Sequence, residues 1–392
     1  MKVPGVETAQ IKKDLPFSVP EFETRLSRVR EGMRQRGLSL LIVSTPENIY
    51  YLSGYHTAGY YCSQCLLVPL EGSPTHITRG TEETNAKALS WIDRTTSYMD
   101  HESPVELMAR TIADSNAAKE VIGIEKISWF LTIADFERLQ QLLPQAQFKD
   151  GSMLVENVRV IKSDLEIDYI KRAAKIAAEG MSSGISQIRA GTTEDEIAAE
   201  IQRAVTRMGS EYPGLPVFVA SGPRSSQAHA TWAGRRLEAG DPVLLEISGC
   251  VRRYSAALMR TAALAPAPRE LERMESVSRK ALESMLEAIR PGRPLGEVWA
   301  VWSEAVIDGG YEGRFKRTGY SIGVNFPPDW GEGYILSFKR GEERLLEPNM
   351  TFHIPSMVKK FGFADSGTSE TVRVTRSGCE ILTDHPRRLY VC

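Results

Sequence analysis

The sequence predicts a mixed α/β (α+β) chain of two domains, with residues 1–158 forming a first α/β domain and residues 159–392 a second. Three observations predict it. Short apolar runs bounded by turn residues alternate with helical stretches through the first 150 residues or so, the pattern of strands layered with helices. A long helical stretch opens at Ser163-Asp164 and marks the join. Two pairs of helical segments then follow, with strand-like segments between and after them.

Taken in order, Glu21–Arg36 repeats apolar positions at helical spacing and Leu38–Val43 reads as a buried strand. Thr45–Gly54, with its Pro, Asn and Gly, reads as a turn. Cys65–Val68 and Pro74–Thr78 follow as strands, Thr81–Trp91 and Pro104–Asp114 as helices, and Glu120–Gly123 as a further strand. Across the join, Val155–Ala178 reads as a strand ending at Lys162-Ser163 that runs into a long helix capped by Ser163 or Asp164. The helix pairs are Leu165–Ile188 with Thr193–Met208, and Leu271–Ala288 with Leu295–Gly309. Low-complexity tracts and short-period repeats are absent from the sequence.

With 42% hydrophobic and 25% charged residues, 392 residues are enough to bury a large core. The 48 basic and 50 acidic residues nearly cancel, so net charge points to neither nucleic acid nor an anionic membrane and favours small solutes or proteins as partners, a small-molecule substrate among them. Met1–Phe17 scatters Lys2, Glu7, Lys12, Lys13 and Asp14 without an apolar run, which predicts neither signal peptide nor anchor, and a cytoplasmic location. The five cysteines, an odd number, suit reduced thiols. Cys62-Ser63-Gln64-Cys65 has the spacing of a redox pair or half a zinc site, but no second pair follows, and its flanks suggest thiols packed in a strand.

Four segments of the second half carry the chemical signal: Val243–Thr261, Gly319–Gly323, Pro348–Pro355 and Ser369–Thr375. They resemble the metal-binding strands of the pita-bread hydrolases, the methionine aminopeptidases, prolidases and their relatives. In that family a strand Asp is followed eleven residues later by another, just before an Arg-Thr pair. Aligned on Arg260-Thr261, those slots hold Glu246 and Ala257. The family's histidine slot holds Tyr320, and its two glutamate slots hold Pro355 and Ser369. One carboxylate in five positions is too few to hold a catalytic dication, which needs several converging anionic or imidazole donors. No metal or other cofactor is expected.

The resemblance implies a creatinase/prolidase-like N-terminal domain, supported by Pro46-Glu47-Asn48-Ile49-Tyr50-Tyr51-Leu52-Ser53-Gly54, ahead of a pita-bread catalytic domain. It is stronger to the metal-independent ectoine hydrolases. The matching pieces include Leu245–Cys250, Ala228–Arg235, Phe326–Glu332 and Leu346–His353. The chain departs from their pattern at Phe363–Glu370, and Thr78–Ser152 carries no specific match. Creatinase keeps glutamates at slots that are Met259 and Pro355 here, which argues against creatine. The implied activity is opening of a cyclic amidine such as ectoine or 5-hydroxyectoine.

His229 stands seventeen residues before Glu246, where the family keeps a histidine over the reactive carbon. An imidazole there moves protons near neutral pH. Glu246 is expected to attack the substrate carbon or to deprotonate water; the alternative is a strand glutamate paired with Arg235, Arg236 or Arg260. Tyr320, Trp330, His353 and Glu370 are candidate substrate contacts, each with a plain packing role as the alternative. A homodimer is implied, with Tyr55, Tyr60 or Tyr61 reaching the neighbouring subunit's site. The rival readings are another small C–N substrate on the same scaffold, and a binding protein that has lost catalysis.

Overall fold

The computed structural model describes residues 12–313 and 317–392, so the leader reading of Met1–Ile11 falls outside the described residues. Two compact units divide the chain, Met1–Arg159 and Val160–Cys392.

The first unit runs α1 (Val19–Arg36), β1 (Leu40–Val43), α2 (Pro46–Ser53), β2 (Cys65–Pro69), β3 (Thr75–Arg79), α3 (Glu83–Leu89), β4 (Thr95–Tyr98), α4 (Pro104–Asp114), β5 (Val121–Ile124), α5 (Ile133–Leu142), β6 (Gln147–Asp150) and α6 (Leu154–Arg159). Its strands make one mixed sheet in the order β4-β3-β2-β1-β5-β6. Because successive strand residues face opposite sides, Leu41 and Val43 pack into one core with Leu26, Val29, Leu52 and Leu154. Leu40 and Ile42 pack into another with Met108, Ile112 and Leu139.

Two sequence expectations fail in this unit. Thr45–Gly54 is not a turn but contains helix α2, with Pro near its start and Gly54 at φ 81° ending it, as a ring-fixed φ and a left-handed glycine dictate. Val155–Lys162 is not a strand. Leu154–Arg159 is helical, because Leu154 and Val155 join the core formed with α1, and that packing overrides the β-propensity of the valines.

The second unit begins with α7 (Asp164–Ser186), whose cap is Ser163 in a reciprocal capping box with Glu166. There follow α8 (Glu194–Arg207), β7 (Phe218–Ser221), β8 (Pro242–Val251), β9 (Tyr254–Ala263), α9 (Arg269–Ala288), α10 (Leu295–Asp308) and β10 (Arg317–Phe326). The chain ends with β11 (Asp329–Gly331), β12 (Ser337–Lys339), β13 (Thr351–Lys360), β14 (Ala364–Val374), β15 (Cys379–Ile381) and β16 (Tyr390–Val391). The sheet order is β15-β14-β13-β10-β9-β8-β7. Helix α7 lies on β8 and β9 with α8 beside it, and α9 lies on β13 and β14 with α10 beside it.

Close approach fixes which sheet face the helices cover. A Cβ on Gly249 would strike the backbone of Ala173 in α7, and one on Gly180 would meet Val205 and Ile247. Leu245, Ile247 and Gly249 therefore face the helices, and Leu244 and Glu246 face away. Among the described residues no helix is long and apolar enough to cross a membrane.

Candidate active site

The uncovered face of this sheet carries a cavity of about 200 Å3, room for one small solute rather than a length of peptide. Register builds it. Phe218, Glu246 and Met259 are cross-strand neighbours on β7, β8 and β9. On β13 the alternate residues Pro355, Met357 and Lys359 face in, and Asp365 on β14 sits opposite Lys359. Tyr320 and Arg317 of β10 close one side, and the segment Gln227–Ala230 closes another.

Glu246 keeps part of its surface open to this cavity. The three arginines weighed as its partners are engaged elsewhere: Arg235 with Asp241, Arg236 with the Gly191 carbonyl, and Arg260 with Glu370. No hydrogen bond or ion pair to its carboxyl is found among the described residues. Burial, with the negative field of Asp329 added and only Lys359 opposing, pushes its pKa up to about 8. A carboxyl so placed is poised to change protonation near neutrality, as nucleophiles and bases do.

His229 lies on the rim, exposed, with its ring 5.7 Å from that of Phe218, the cross-strand neighbour of Glu246. Its backbone is left-handed, φ 58°, an uncommon state for a non-glycine residue that the surroundings must hold. The segment that carries it is anchored at both ends by Glu194, which accepts from the backbone N–H groups of Ser221 and Ala233 and from Arg224. Arg235 in turn bridges to Asp241 and Ser221.

Tyr320 and Ser369, at two of the family's ligand slots, are joined through His353. Trp330 Nε1 donates to Tyr320 Oη at 3.0 Å, and His353 Nδ1 lies 2.8 Å from the same oxygen. His353 Nε2 lies 2.7 Å from Ser369 Oγ, which accepts from the Met259 N–H at 2.7 Å. Burial and nearby Arg260 push His353 down to about 3, so this imidazole is neutral. Burial next to Glu246 raises the Tyr320 phenol well above its ordinary value, so it stays protonated. Ala257 packs against Phe218, Ile322 and Trp330. Among the described residues no three His, Cys, Asp or Glu side chains converge as metal ligands. The donor set here, one carboxyl and one phenol beside Pro355 and Ala257, does not fit the dication of a metallopeptidase.

Four of the expected substrate contacts need correction. Trp330, 1% exposed, packs edge-on against Phe218 and supports the cavity wall from behind. His353 is fully buried and reaches the cavity only through Tyr320. Glu370 points to the opposite face, as its place one residue after Ser369 on β14 requires, and is held by Arg260 and Thr383. Tyr55 is a core residue of the first unit whose hydroxyl donates to Gln64. Tyr61, by contrast, is 78% exposed, and Tyr60 stacks edge-on against Phe130. Cys65 is buried and Cys62 half-buried, both free thiols.

Sequence reasoning missed Arg317, Lys359 and Asp365. Lys359 bonds one oxygen of Asp365 at 2.7 Å, and the other, Oδ1, is buried without a partner among the described residues. For Lys359 the available signal was its alternation with Pro355 and Met357 along β13; Arg317 on β10 and Asp365 on β14 carry no such signal.

Comparison with known proteins agrees with this architecture. Residues 168–376 match metallopeptidase family M24, and residues 25–161 match the creatinase/prolidase N-terminal domain. The chain is 34% identical to the ectoine hydrolase of Halomonas elongata, over 97% of this chain and 100% of that one. Among solved structures, a prolidase from Thermococcus sibiricus superposes with TM-score 0.85 at 21% identity, covering 95% of this chain and 99% of that one. The dipeptidase PepE from Mycobacterium ulcerans gives TM-score 0.82 at 22% identity, covering 96% and 99%. At that identity the two structures speak for the pita-bread fold alone.

Proposed function

The chain belongs to metallopeptidase family M24, with a creatinase/prolidase N-terminal domain ahead of it, and is a hydrolase of that family; from this premise we propose that it hydrolyses a cyclic amidine, ectoine or 5-hydroxyectoine, without a metal. The observation that carries the reading is Glu246, a carboxyl with no partner among the described residues, facing a cavity where the family's other ligand slots hold Ala257, Tyr320, Pro355 and Ser369. The relationship to an ectoine hydrolase supports the substrate. In this reading the protein works in the cytoplasm as a homodimer on a free small solute.

The amidine carbon of such a ring lies between two nitrogens and carries partial positive charge. Glu246 as carboxylate either bonds to it directly or takes a proton from a water that does. The tetrahedral carbon then expels one ring nitrogen; in the direct route a water next adds to the same carbon and the Glu246 carboxylate leaves, so that both routes consume one water. His229 delivers the proton that nitrogen needs to leave as an amine, and the product is an N-acetyl-2,4-diaminobutyrate isomer. Arg317, which has no hydrogen-bond or ion-pair partner among the described residues, offers the ring carboxylate a counter-charge at the cavity edge. The Lys359–Asp365 pair supports a second reading, a different small C–N substrate, because Asp365 lies in the stretch where the chain departs from the ectoine hydrolase pattern.

Incubation with ectoine, 5-hydroxyectoine, creatine and Xaa-Pro dipeptides, with and without a chelator, tests this. Ring opening of ectoine, unchanged by chelation, is the expected result. Dipeptide cleavage that stops on chelation would reject it. His229→Ala should lower turnover about a hundredfold or more while the protein stays folded by circular dichroism, the scale lost with a positioned acid/base. Turnover within about threefold of wild type would take His229 out of the proton transfer.

A further inference from the structure

The chain of contacts behind the cavity fixes more than the position of Tyr320. Five groups are joined by four hydrogen bonds. Met259 N–H and Trp330 Nε1–H can only donate, to Ser369 Oγ and Tyr320 Oη respectively. Between those two oxygens sits a neutral imidazole with one hydrogen and one lone pair. Two arrangements remain. If the imidazole hydrogen is on Nε2, it goes to Ser369, whose oxygen then takes two donors while its own hydroxyl hydrogen has no acceptor among the described residues. Ser369 is wholly buried, so that hydrogen is lost to water as well. If the hydrogen is on Nδ1, Ser369 donates to Nε2 and Nδ1 donates to Tyr320. The phenol oxygen then takes two donors, and its own hydrogen is the one left over. Tyr320 is half-buried and lines the cavity, where a ligand or water can accept it.

We infer that the Met259–Ser369–His353 chain holds His353 in its Nδ1–H form and so aims the Tyr320 hydroxyl hydrogen into the cavity, making Tyr320 a catalytic hydrogen-bond donor to substrate, with His353 and Ser369 as positioning residues. The catalytic part rests on the hydrolase reading given above; the tautomer does not. In the reaction the phenol is never ionised. It donates to the ring nitrogen or oxygen on which electron density collects as the tetrahedral carbon forms, and returns to its starting state. Two of the vacated ligand slots, Tyr320 and Ser369, thereby form the two ends of one device.

Nitrogen-15 NMR of uniformly 15N-histidine-labelled full-length protein reads the tautomer directly, with His353 assigned by its loss in His353→Asn. A protonated Nδ1 beside an unprotonated Nε2 is expected. A protonated Nε2, or a mixture of the two, would overturn the inference whatever the substrate proves to be. The second arm is kinetic, on whichever compound the enzyme turns over. Tyr320→Phe should lower kcat by about tenfold to a hundredfold, the scale of one lost donor to a developing charge, with KM changed by less than about threefold. His353→Asn, which keeps an N–H near the Nδ1 position, should retain more kcat than His353→Leu. Equal losses in the two, or a Tyr320→Phe enzyme with unchanged kcat, would reject the catalytic assignment even with the tautomer as expected. Ectoine left intact while another compound shows these effects would reject only the substrate.

Discussion

Glu246→Gln is expected to abolish turnover, by at least about two to three orders of magnitude, while making the protein more stable above neutral pH. Both effects come from one carboxyl. A nucleophile or base must present a lone pair on an anionic oxygen, and an amide of the same shape cannot. The wild-type kcat/KM should therefore rise with pH and level off around the Glu246 pKa of about 8. For stability the sign runs the other way. The folded-state pKa lies above the ordinary value of 4.5, so the native protein binds a proton more tightly than the unfolded chain does. Glu246 disfavours folding least below about 4.5, and the penalty grows through the window up to about 8, where the native state must hold a desolvated carboxylate. Gln does not titrate. The melting temperature of Glu246→Gln should pull ahead of wild type by a few degrees across that window. A variant less stable than wild type at pH 8.5, or a turnover within about tenfold, would mean that Glu246 is a structural strand residue after all.

Much of this site was legible because the sequence keeps the spacing of a metal site while changing its chemistry. Arg260-Thr261 fixed the register for Glu246 and Ala257, and the local motifs around Gly319–Gly323, Pro348–Pro355 and Ser369–Thr375 placed Tyr320, Pro355 and Ser369 in the family's other slots. The side-chain roles were less legible, since facing and partnership are decided by strands far apart in the chain. Glu370 reads as a plausible contact until β14 turns it toward Arg260. His353 reads as a ligand contact until Ser369 and Tyr320 claim both its nitrogens. Lys359 and Asp365 carry no motif, and only the pairing of β13 with β14 brings them to the cavity. In the first domain, the valines around the join favour a strand, and the core beneath α1 makes it a helix.

The Arg-Thr pair that set the register also predicts the largest loss of stability. Arg260 is fully buried on the helix-covered side of β9. Its guanidinium donates to the carbonyls of Met259, Ser369, His385 and Pro386 and to Glu370. Thr261 accepts from the Gly367 N–H and donates to the Gly367 carbonyl, so β9 is tied to β14 on both faces. Arg260→Ala would leave Glu370 with Thr383 and a more distant Arg387 at 3.8 Å, and would take a donor from four backbone carbonyls. Breaking a buried pair in this way costs about 3–5 kcal/mol, a large share of the roughly 5–15 kcal/mol that holds a domain together. Thermal unfolding should drop by roughly ten degrees or more. Arg260→Lys should recover only part of this, because one ammonium cannot reach acceptors that a planar fork reaches together. Adding Glu370→Gln to Arg260→Ala should recover part of it by removing the stranded charge. If Arg260→Ala melts within about two degrees of wild type, the pair is no more than a marker of register, and the tie between β9 and β14 must come from Thr261, Ser369 and Thr371 alone.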